Sequence, residues 1–168
     1  MVEPELMYTK YCRETEDAIY FWGGVFGNNF EEHFEWNNRS FRNAEQAFQY
    51  AKAIMFDKAY INPILELKSA QRAIEIGRSI PNYNEDKWNE KRYQVMVDIL
   101  KQKFSKKRAK RELLATGNKE LVFGVTDDKI WGAGVEFWSN QISDESNRIG
   151  KNLLGNALME VICFLNKN

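Results

Sequence analysis

The sequence contains 168 residues, of which 43% are hydrophobic, and 24 basic side chains balance 24 acidic ones. This length and composition predict one compact domain, residues 1–168, with a real hydrophobic core. The balanced charge excludes a global electrostatic field that would draw the chain to nucleic acid or to an anionic membrane.

The rare residues narrow the possible chemistry. A multi-histidine metal centre is excluded because His33 is the one histidine. Cys12 and Cys163 form no CxxC motif, which favours reduced thiols and argues against zinc. We therefore expect no metal and no cofactor. The sequence shows no signal-peptide pattern and no apolar run near the ~20 residues of a membrane span, so we expect a soluble cytoplasmic protein without membrane contact.

Three stretches predict β-structure. Residues 18–22 (AIYFW) and 121–126 (LVFGVT) are short, rich in aromatic or β-branched side chains, and bounded by glycine or charge. Residues 34–42 (FEWNNRSFR) predict a third strand region, in which NNR is a turn.

Helical patterns cover more of the chain. Asn43 caps a helix that runs to about Phe56, and a short segment follows from Pro63 to Gly77. Asn84 opens a long helix, a further helix continues after a break at Ser105 and ends at Gly117, and a last one shows apolar residues at three and four spacing from Leu154 to Leu165. The predicted fold class is α+β, mostly helical, with a small sheet.

The first of these helices carries an unusual row of side chains. Glu45, Gln49 and Lys52 stand at i, i+4 and i+7, so they lie along one side of the helix beside its apolar stripe. One interpretation is a solvent-facing edge, with a Glu45–Gln49 contact worth a few tenths of a kcal/mol. The other is a carboxylate facing a cleft, an amide that orients a ligand, and an ammonium within reach of the acid.

Two glycine-containing segments add candidates. In TDDKIWGAG (126–134) a tryptophan precedes a Gly-x-Gly turn, where an indole could stack on a planar ring; a hairpin turn with a packed tryptophan is the alternative. In NRIGKNLLGNALM (147–159), Glu145 and Asn152 replace the glycine and the Ser or Thr of a P-loop, which disfavours a nucleoside triphosphatase. The remaining expectation is a helix N-terminus whose free N–H groups suit a phosphate.

The run KQKFSKKRAKR (101–111) contains seven Lys or Arg residues and one aromatic residue. It is either a solvated helix face or a contact for nucleic acid.

Taken together, the motifs resemble the NADAR family, whose bacterial members are also called YbiA-like N-glycosidases. The resemblance runs from about residue 19 to the end. It rests on seven motifs in order: Asn29-Phe30; Glu45, Gln49 and Lys52; Gly77-Arg78; Trp88, Arg92 and Met96, followed by Lys103-Phe104; LLATG; DKIWGAG; and GKNLLGNALM.

This resemblance implies a compact, largely helical α+β fold and cleavage of the N-glycosidic bond between ribose C1′ and a base or amine. Substrates proposed in the family include a phosphorylated ribosylamino-pyrimidine of riboflavin biosynthesis and ADP-ribose attached to guanine. Two departures stand out. Ala133 replaces an acid that many members carry between the glycines, so a catalytic role of that acid is either lost here or falls to Asp128 or Asp127. A longer loop before Gly150 brings Phe137 and Trp138 as a lid or specificity wall.

The expected roles follow from the positive charge that develops on the ring oxygen and C1′ when the bond breaks. Glu45 would stabilise that charge or activate water, and Gln49 would hold a ribose hydroxyl or the water. Lys52 would either pair with phosphate or Glu45, or form a Schiff base with the opened sugar. Asp128 would bind the ribose diol or protonate the leaving group.

The other candidates are assigned to substrate binding. Trp131, beside Gly132, would stack on the base, and Asn29 belongs to the same set. The phosphate would contact Arg78, Arg92 and Lys151, with Asn152 at the helix start.

Three functions are consistent with these residues and with the resemblance. The first is an N-glycosidase acting on a nucleotide-like small molecule. The second is removal of ADP-ribose from guanine in nucleic acid, which would use the 101–111 basic run. The third is a non-catalytic module that binds ADP-ribose or a nucleotide, as Ala133 would allow.

Overall fold

The computed structural model describes residues 10–168, and the fold is α+β with helix predominating, as predicted. The chain divides into two compact units. The first unit comprises Met1–Gly27 and Arg111–Asn168, and the second comprises Asn28–Lys110. The single domain over residues 1–168 stays a prediction.

The first unit contains a three-stranded sheet and a C-terminal helix. Its strands are β1 (Cys12–Glu14), β2 (Ala18–Phe21) and β5 (Glu120–Phe123), in the order β1-β2-β5. β2 is antiparallel to β1 and parallel to β5, with Phe21 opposite Phe123. A helix named α6 (Leu153–Lys167) packs on β5 through its buried apolar face.

The second unit contains a hairpin and four helices. The hairpin strands are β3 (Phe34–Trp36) and β4 (Arg39–Phe41). The helices are α1 (Ala44–Phe56), α2 (Ile61–Leu65), α3 (Ala70–Arg78) and α4 (Glu85–Lys103). α1 lies at the centre, because it packs against each of the other three. A further helix, α5 (Lys107–Leu114), crosses the division between the two units.

The hairpin turn explains why two strands replace one predicted strand region. Asn37 and Asn38 both adopt left-handed backbone conformations, with φ of 52° and 58°. Two such residues in a row make the tight turn that suits a two-residue hairpin, and asparagine tolerates this conformation better than most residues. Arg39, which the sequence placed in the turn, begins β4.

The predicted segment 63–77 is wrong as a single helix. α2 ends at Leu65, and α3 begins after Ser69, whose side chain accepts from the N–H of Arg72. The amide of Gln46 separates them, because it donates to the carbonyls of Ile64, Leu65 and Leu67. A side chain from α1 thus satisfies carbonyl groups where α2 ends.

Other boundaries differ less. The break near Ser105 is confirmed, since α4 ends at Lys103 and α5 begins at Lys107. β5 ends at Phe123, earlier than predicted, because the N–H of Val125 turns back to the carbonyl of Phe123. β1 was not predicted. Within residues 10–168, no helix is both long and apolar enough to cross a membrane.

Lys103 is fully buried at the end of α4, near the rings of Phe30 and Phe104. Burial lowers its pKa to about 7, against which the charge of Glu32 acts only partly. In the unfolded chain a lysine has a pKa near ~10.4, so between these values the unfolded state binds a proton that the folded state lacks. The contribution of Lys103 to the free energy of unfolding therefore increases as the pH rises from about 7 to ~10.4.

We expect the stability of the wild type to rise, relative to that of Lys103→Met, by roughly 1 kcal/mol between about pH 7.5 and about pH 8.5. Urea unfolding of both proteins at the two pH values measures this difference. Parallel pH dependences of the two proteins would show that Lys103 is charged in the folded state at both values.

Candidate active site

The start of α1 is fixed by side chains that complete its hydrogen bonds. Asn43 caps the helix by accepting from the N–H of Gln46. The side chain of Gln46 accepts from the N–H of Arg42 and donates to carbonyls at the end of α2 and just after it. Both ends of this buried amide are therefore satisfied, which is typical of a structural glutamine.

Gln49, one turn further along α1, is arranged differently. Its Nε2 donates to Oε1 of Glu45 over 2.7 Å, so the predicted contact within the row is present. Its Oε1 is buried and finds no hydrogen-bond partner among residues 10–168. A buried amide oxygen without a donor costs about 1–3 kcal/mol. Gln46 shows that this helix can satisfy an amide fully, so the oxygen of Gln49, unpartnered among residues 10–168, is an exception among the buried amides of α1.

Gly77 lies where the end of α3 meets Gln49. A Cβ on Gly77 would come within 1.8 Å of Oε1 of Gln49 and within 2.5 Å of its Cδ. Any larger residue would therefore displace the amide. The Gly-Arg pair noted in the sequence is thus explained by space for Gln49.

Lys52 completes the row. Its Nζ donates to the carbonyl of Gly77 over 2.9 Å and lies 4.6 Å from the ring centroid of Tyr83. Burial lowers the pKa of Lys52, the charge of Arg78 lowers it further, and the carboxylates of Glu45 and Glu85 oppose the change. The acid, amide and amine thus act on one another within a single half-buried row, defined here as the α1 row (Glu45, Gln49 and Lys52).

Two predicted phosphate ligands lie in the same unit. Arg78 is exposed at the end of α3, close enough to Lys52 to lower its pKa. Arg92 on α4 is only 8% exposed, and its charge acts on Tyr83. It forms no hydrogen bond or ion pair with another residue of the described chain. None of its nitrogens is a fully buried atom without a partner, so the guanidinium keeps contact with solvent and can be reached by an anion.

The sequence-based prediction named Asn29 as a binding residue, whereas the structure singles out its neighbour Asn28. Asn29 is exposed, whereas Oδ1 of Asn28 is buried and lacks a hydrogen-bond partner in the described part of the chain. The carbonyl of Asn28 accepts from the N–H of Glu45, which places this residue at the first turn of α1. The pair Asn28-Asn29 was visible in the sequence, but which of the two points inward depends on the backbone.

The tryptophan turn lies in the first unit and is shaped by Asp128. Its Oδ1 accepts from the N–H groups of Ile130 and Trp131, so one carboxylate oxygen holds the turn. Gly132 is required for space, because a Cβ there would come within 2.5 Å of the carbonyl oxygen of Asp128. Trp131 itself is half-buried. The catalytic role of Asp128 and the stacking role of Trp131 stay predictions.

The phosphate cradle expected at the start of α6 is wrong. The N–H groups of residues 151–154 already donate to backbone carbonyls of the tryptophan turn, namely Lys129, Gly132, Ile130 and Trp131. The side chain of Asn152 also bonds to backbone, accepting from Phe123 and donating to Leu121. The helix start therefore fastens the turn to β5 and leaves no free N–H cradle among residues 151–154. Lys151 is exposed, and its side chain stays only a predicted contact.

Ala133 lies in the apolar core of the first unit. It is fully buried with Ala18, Tyr20, Val122 and other apolar residues. An acid at this position would be buried among those residues, so alanine removes no carboxylate that this backbone would present to a ligand. Of the expected lid residues, Phe137 packs against the same core and Trp138 is 66% exposed.

The basic run 101–111 does not form a stacking surface. Phe104, its aromatic residue, is fully buried, and so is Lys103. Lys106, Lys107 and Arg108 are exposed. Solvent-exposed cations without an aromatic ring favour a solvated helix face over a nucleic-acid site.

The family model described as the NADAR domain matches residues 11–165. The chain belongs to the NADAR family, as the sequence analysis predicted.

The chain is similar to two known proteins in sequence and to one solved structure in fold. It is 29% identical over 155 residues to N-glycosidase R617 of Acanthamoeba polyphaga mimivirus, covering 89% of this chain and 90% of the relative. It is 32% identical over 122 residues to Protein irg-1 of Caenorhabditis elegans, covering 70% of this chain and 58% of that one. The NMR structure of the E. coli protein YbiA matches with a TM-score of 0.74 and 26% identity, over 95% of this chain and 90% of YbiA. Together, the family and the viral relative support the predicted N-glycosidase activity.

Because Gln49 packs against Gly77, the effect of Gly77→Ala on stability should have opposite signs in the presence and in the absence of the Gln49 side chain. Gly77→Ala should destabilise the wild type by about 1–3 kcal/mol, the usual cost of overpacking. In a Gln49→Ala background the clash is absent, and alanine is the better helix former by about 1 kcal/mol, so the same substitution should stabilise. Chemical unfolding of the four proteins measures the coupling. Additive effects would show that the amide does not lie against Gly77.

Proposed function

We propose that this chain hydrolyses the N-glycosidic bond between ribose C1′ and a base or amine in a phosphorylated nucleotide-like molecule, with the α1 row as the reaction centre. The main observation that supports this proposal is the hydrogen bond from Gln49 to Glu45. The amide orients the carboxylate, and its own oxygen is buried without a hydrogen-bond partner among the described residues. A riboflavin-pathway ribosylamino-pyrimidine phosphate and an ADP-ribose conjugate both belong to this substrate class.

Glu45 acts on the sugar. As the C1′–N bond breaks, its electrons leave with the nitrogen and positive charge spreads over C1′ and the ring oxygen. A carboxylate beside C1′ stabilises that charge or takes a proton from the attacking water. The oxygen of water then bonds to C1′, and the departing nitrogen receives a proton. The hydrogen bond from Gln49 fixes the carboxylate in one orientation.

The ribose hydroxyls bind the open amide oxygens. A hydroxyl is a donor that Oε1 of Gln49 and Oδ1 of Asn28 both lack within the described residues. Asn28 adjoins the first turn of α1 through the hydrogen bond from Glu45. The sugar would thus satisfy two buried acceptors in the same step that brings C1′ to the acid.

The phosphate binds to the cations. Arg92 is buried and unpaired within residues 10–168, and Arg78 adds a second charge near Lys52. Lys52 serves in one of two ways. As an ammonium, held by the carbonyl of Gly77 and the ring of Tyr83, it draws the phosphate; as an amine, favoured by its lowered pKa, it attacks the opened sugar.

We expect Glu45→Gln to keep the fold and to lower kcat/KM by at least ~100-fold, the usual contribution of a positioned acid or base. Purified protein is incubated with NAD, a ribosylamino-pyrimidine phosphate and ADP-ribosyl-guanine DNA, and the released base or ADP-ribose is quantified. Glu90→Gln, the same change at an exposed position of α4, is the matched control.

Turnover of Glu45→Gln close to that of Glu90→Gln would overturn the assignment of Glu45. Tight nucleotide binding without released base in the wild type would instead establish the non-catalytic module. Release from the DNA substrate alone would establish action on nucleic acid.

A further inference from the structure

A cavity of about 540 Å³ opens next to the α1 row, within the second unit. Its volume falls in the range of small-molecule sites. It is lined by two apolar or aromatic residues of α1, by two asparagines, and by an aromatic and a basic residue: Met55, Phe56, Asn82, Asn84, Tyr83 and Lys87. Of these residues, Tyr83 contacts the α1 row, through the ammonium of Lys52.

Tyr83 forms a fixed aromatic wall of this cavity. It is 40% exposed, yet its hydroxyl donates to Oε2 of Glu85 over 3.2 Å and its ring meets Phe56 edge-to-face at 5.3 Å. The ammonium of Lys52 lies 4.6 Å from its centroid. A ring restrained on several sides and still open to solvent loses little entropy when a second ring stacks on it.

The exposed apolar surface around Tyr83 is continuous. Met55 at the end of α1 is 37% exposed and lines the same cavity, as does Phe56. The ring of Tyr83, bordered by Phe56 and Met55, offers an apolar face of the kind that accepts a nucleobase.

Polar groups of the cavity suit the rim of such a ligand. Asn82 is exposed, and its amide can both donate and accept at the edge of a heterocycle. Oδ1 of Asn84 is used to cap α4 by accepting from the N–H of Lys87. The exposed ammonium of Lys87 adds a charge suited to a phosphate.

We propose that Tyr83, Phe56 and Met55 form a subsite that stacks a planar heterocycle of the substrate, with Asn82 at its edge and Lys87 at an adjoining phosphate. The inference rests on the proposed function for the substrate, but the subsite itself is a binding site that exists without turnover. Through Lys52, which touches Tyr83, it adjoins the α1 row. Substrates with a heterocycle in this position would be selected over simple ribosyl phosphates.

The test compares two probes that differ in the heterocycle. Binding of AMP and of ribose 5-phosphate is measured by calorimetry with the wild type, Tyr83→Phe and Tyr83→Ala. Stacking of one base is worth ~1–3 kcal/mol, so AMP should bind the wild type about tenfold or more tightly than ribose 5-phosphate. Tyr83→Phe keeps the ring and should keep the preference. Tyr83→Ala should lose it, and the ratio of the two affinities is the criterion, because loss of the ring also removes a contact of Lys52 and can weaken both probes.

An unchanged AMP preference in Tyr83→Ala, or no preference in the wild type, would overturn the subsite. Because no step requires catalysis, an AMP preference that depends on Tyr83 supports the subsite even where no N-glycosidic bond is cleaved.

Kinetics with Tyr83→Ala then identify the heterocycle. A raised KM only for substrates with a second base beyond the phosphate places that base on Tyr83. A raised KM also for a ribosyl monophosphate places the leaving base there. A KM unchanged for both classes would contradict the proposal.

Discussion

The hydrogen bond from Gln49 to Glu45, packed against Gly77, is the constraint on which the candidate site depends. One buried amide links the acid on α1 to the end of α3, and its own oxygen has no hydrogen-bond partner among residues 10–168. The cost of burying that oxygen unpaired must be offset by the surrounding packing, in which α1 contacts the other three helices of its unit. Function and local stability therefore oppose each other at Gln49.

The polar side chains of the tryptophan turn and those around the α1 row are used differently. In the first unit, the side chains of Asp128 and Asn152 form hydrogen bonds with backbone groups, and backbone hydrogen bonds join the tryptophan turn to the start of α6. In the second unit, the amide oxygens of Asn28 and Gln49 are buried without a partner among the described residues. A site for binding and catalysis is better supported by the second arrangement, since open buried groups demand a ligand.

The sequence predicted the row on α1 because helical periodicity alone aligns Glu45, Gln49 and Lys52. It could not predict which glutamine is open, since Gln46 and Gln49 differ only in what surrounds them after folding. The split between α2 and α3 was missed for the same reason: it depends on a side chain from another helix. The phosphate cradle at Asn152 failed because a helix start read from sequence shows its N–H groups but not the carbonyls that fill them.

The most direct measurement is a crystal structure of the protein with ribose 5-phosphate. We expect ribose hydroxyls within about 3 Å of Oε1 of Gln49 and Oδ1 of Asn28, with C1′ facing the carboxylate of Glu45 and the phosphate at Arg92. A sugar bound elsewhere, with both amide oxygens occupied by water, would contradict the proposed role of the α1 row.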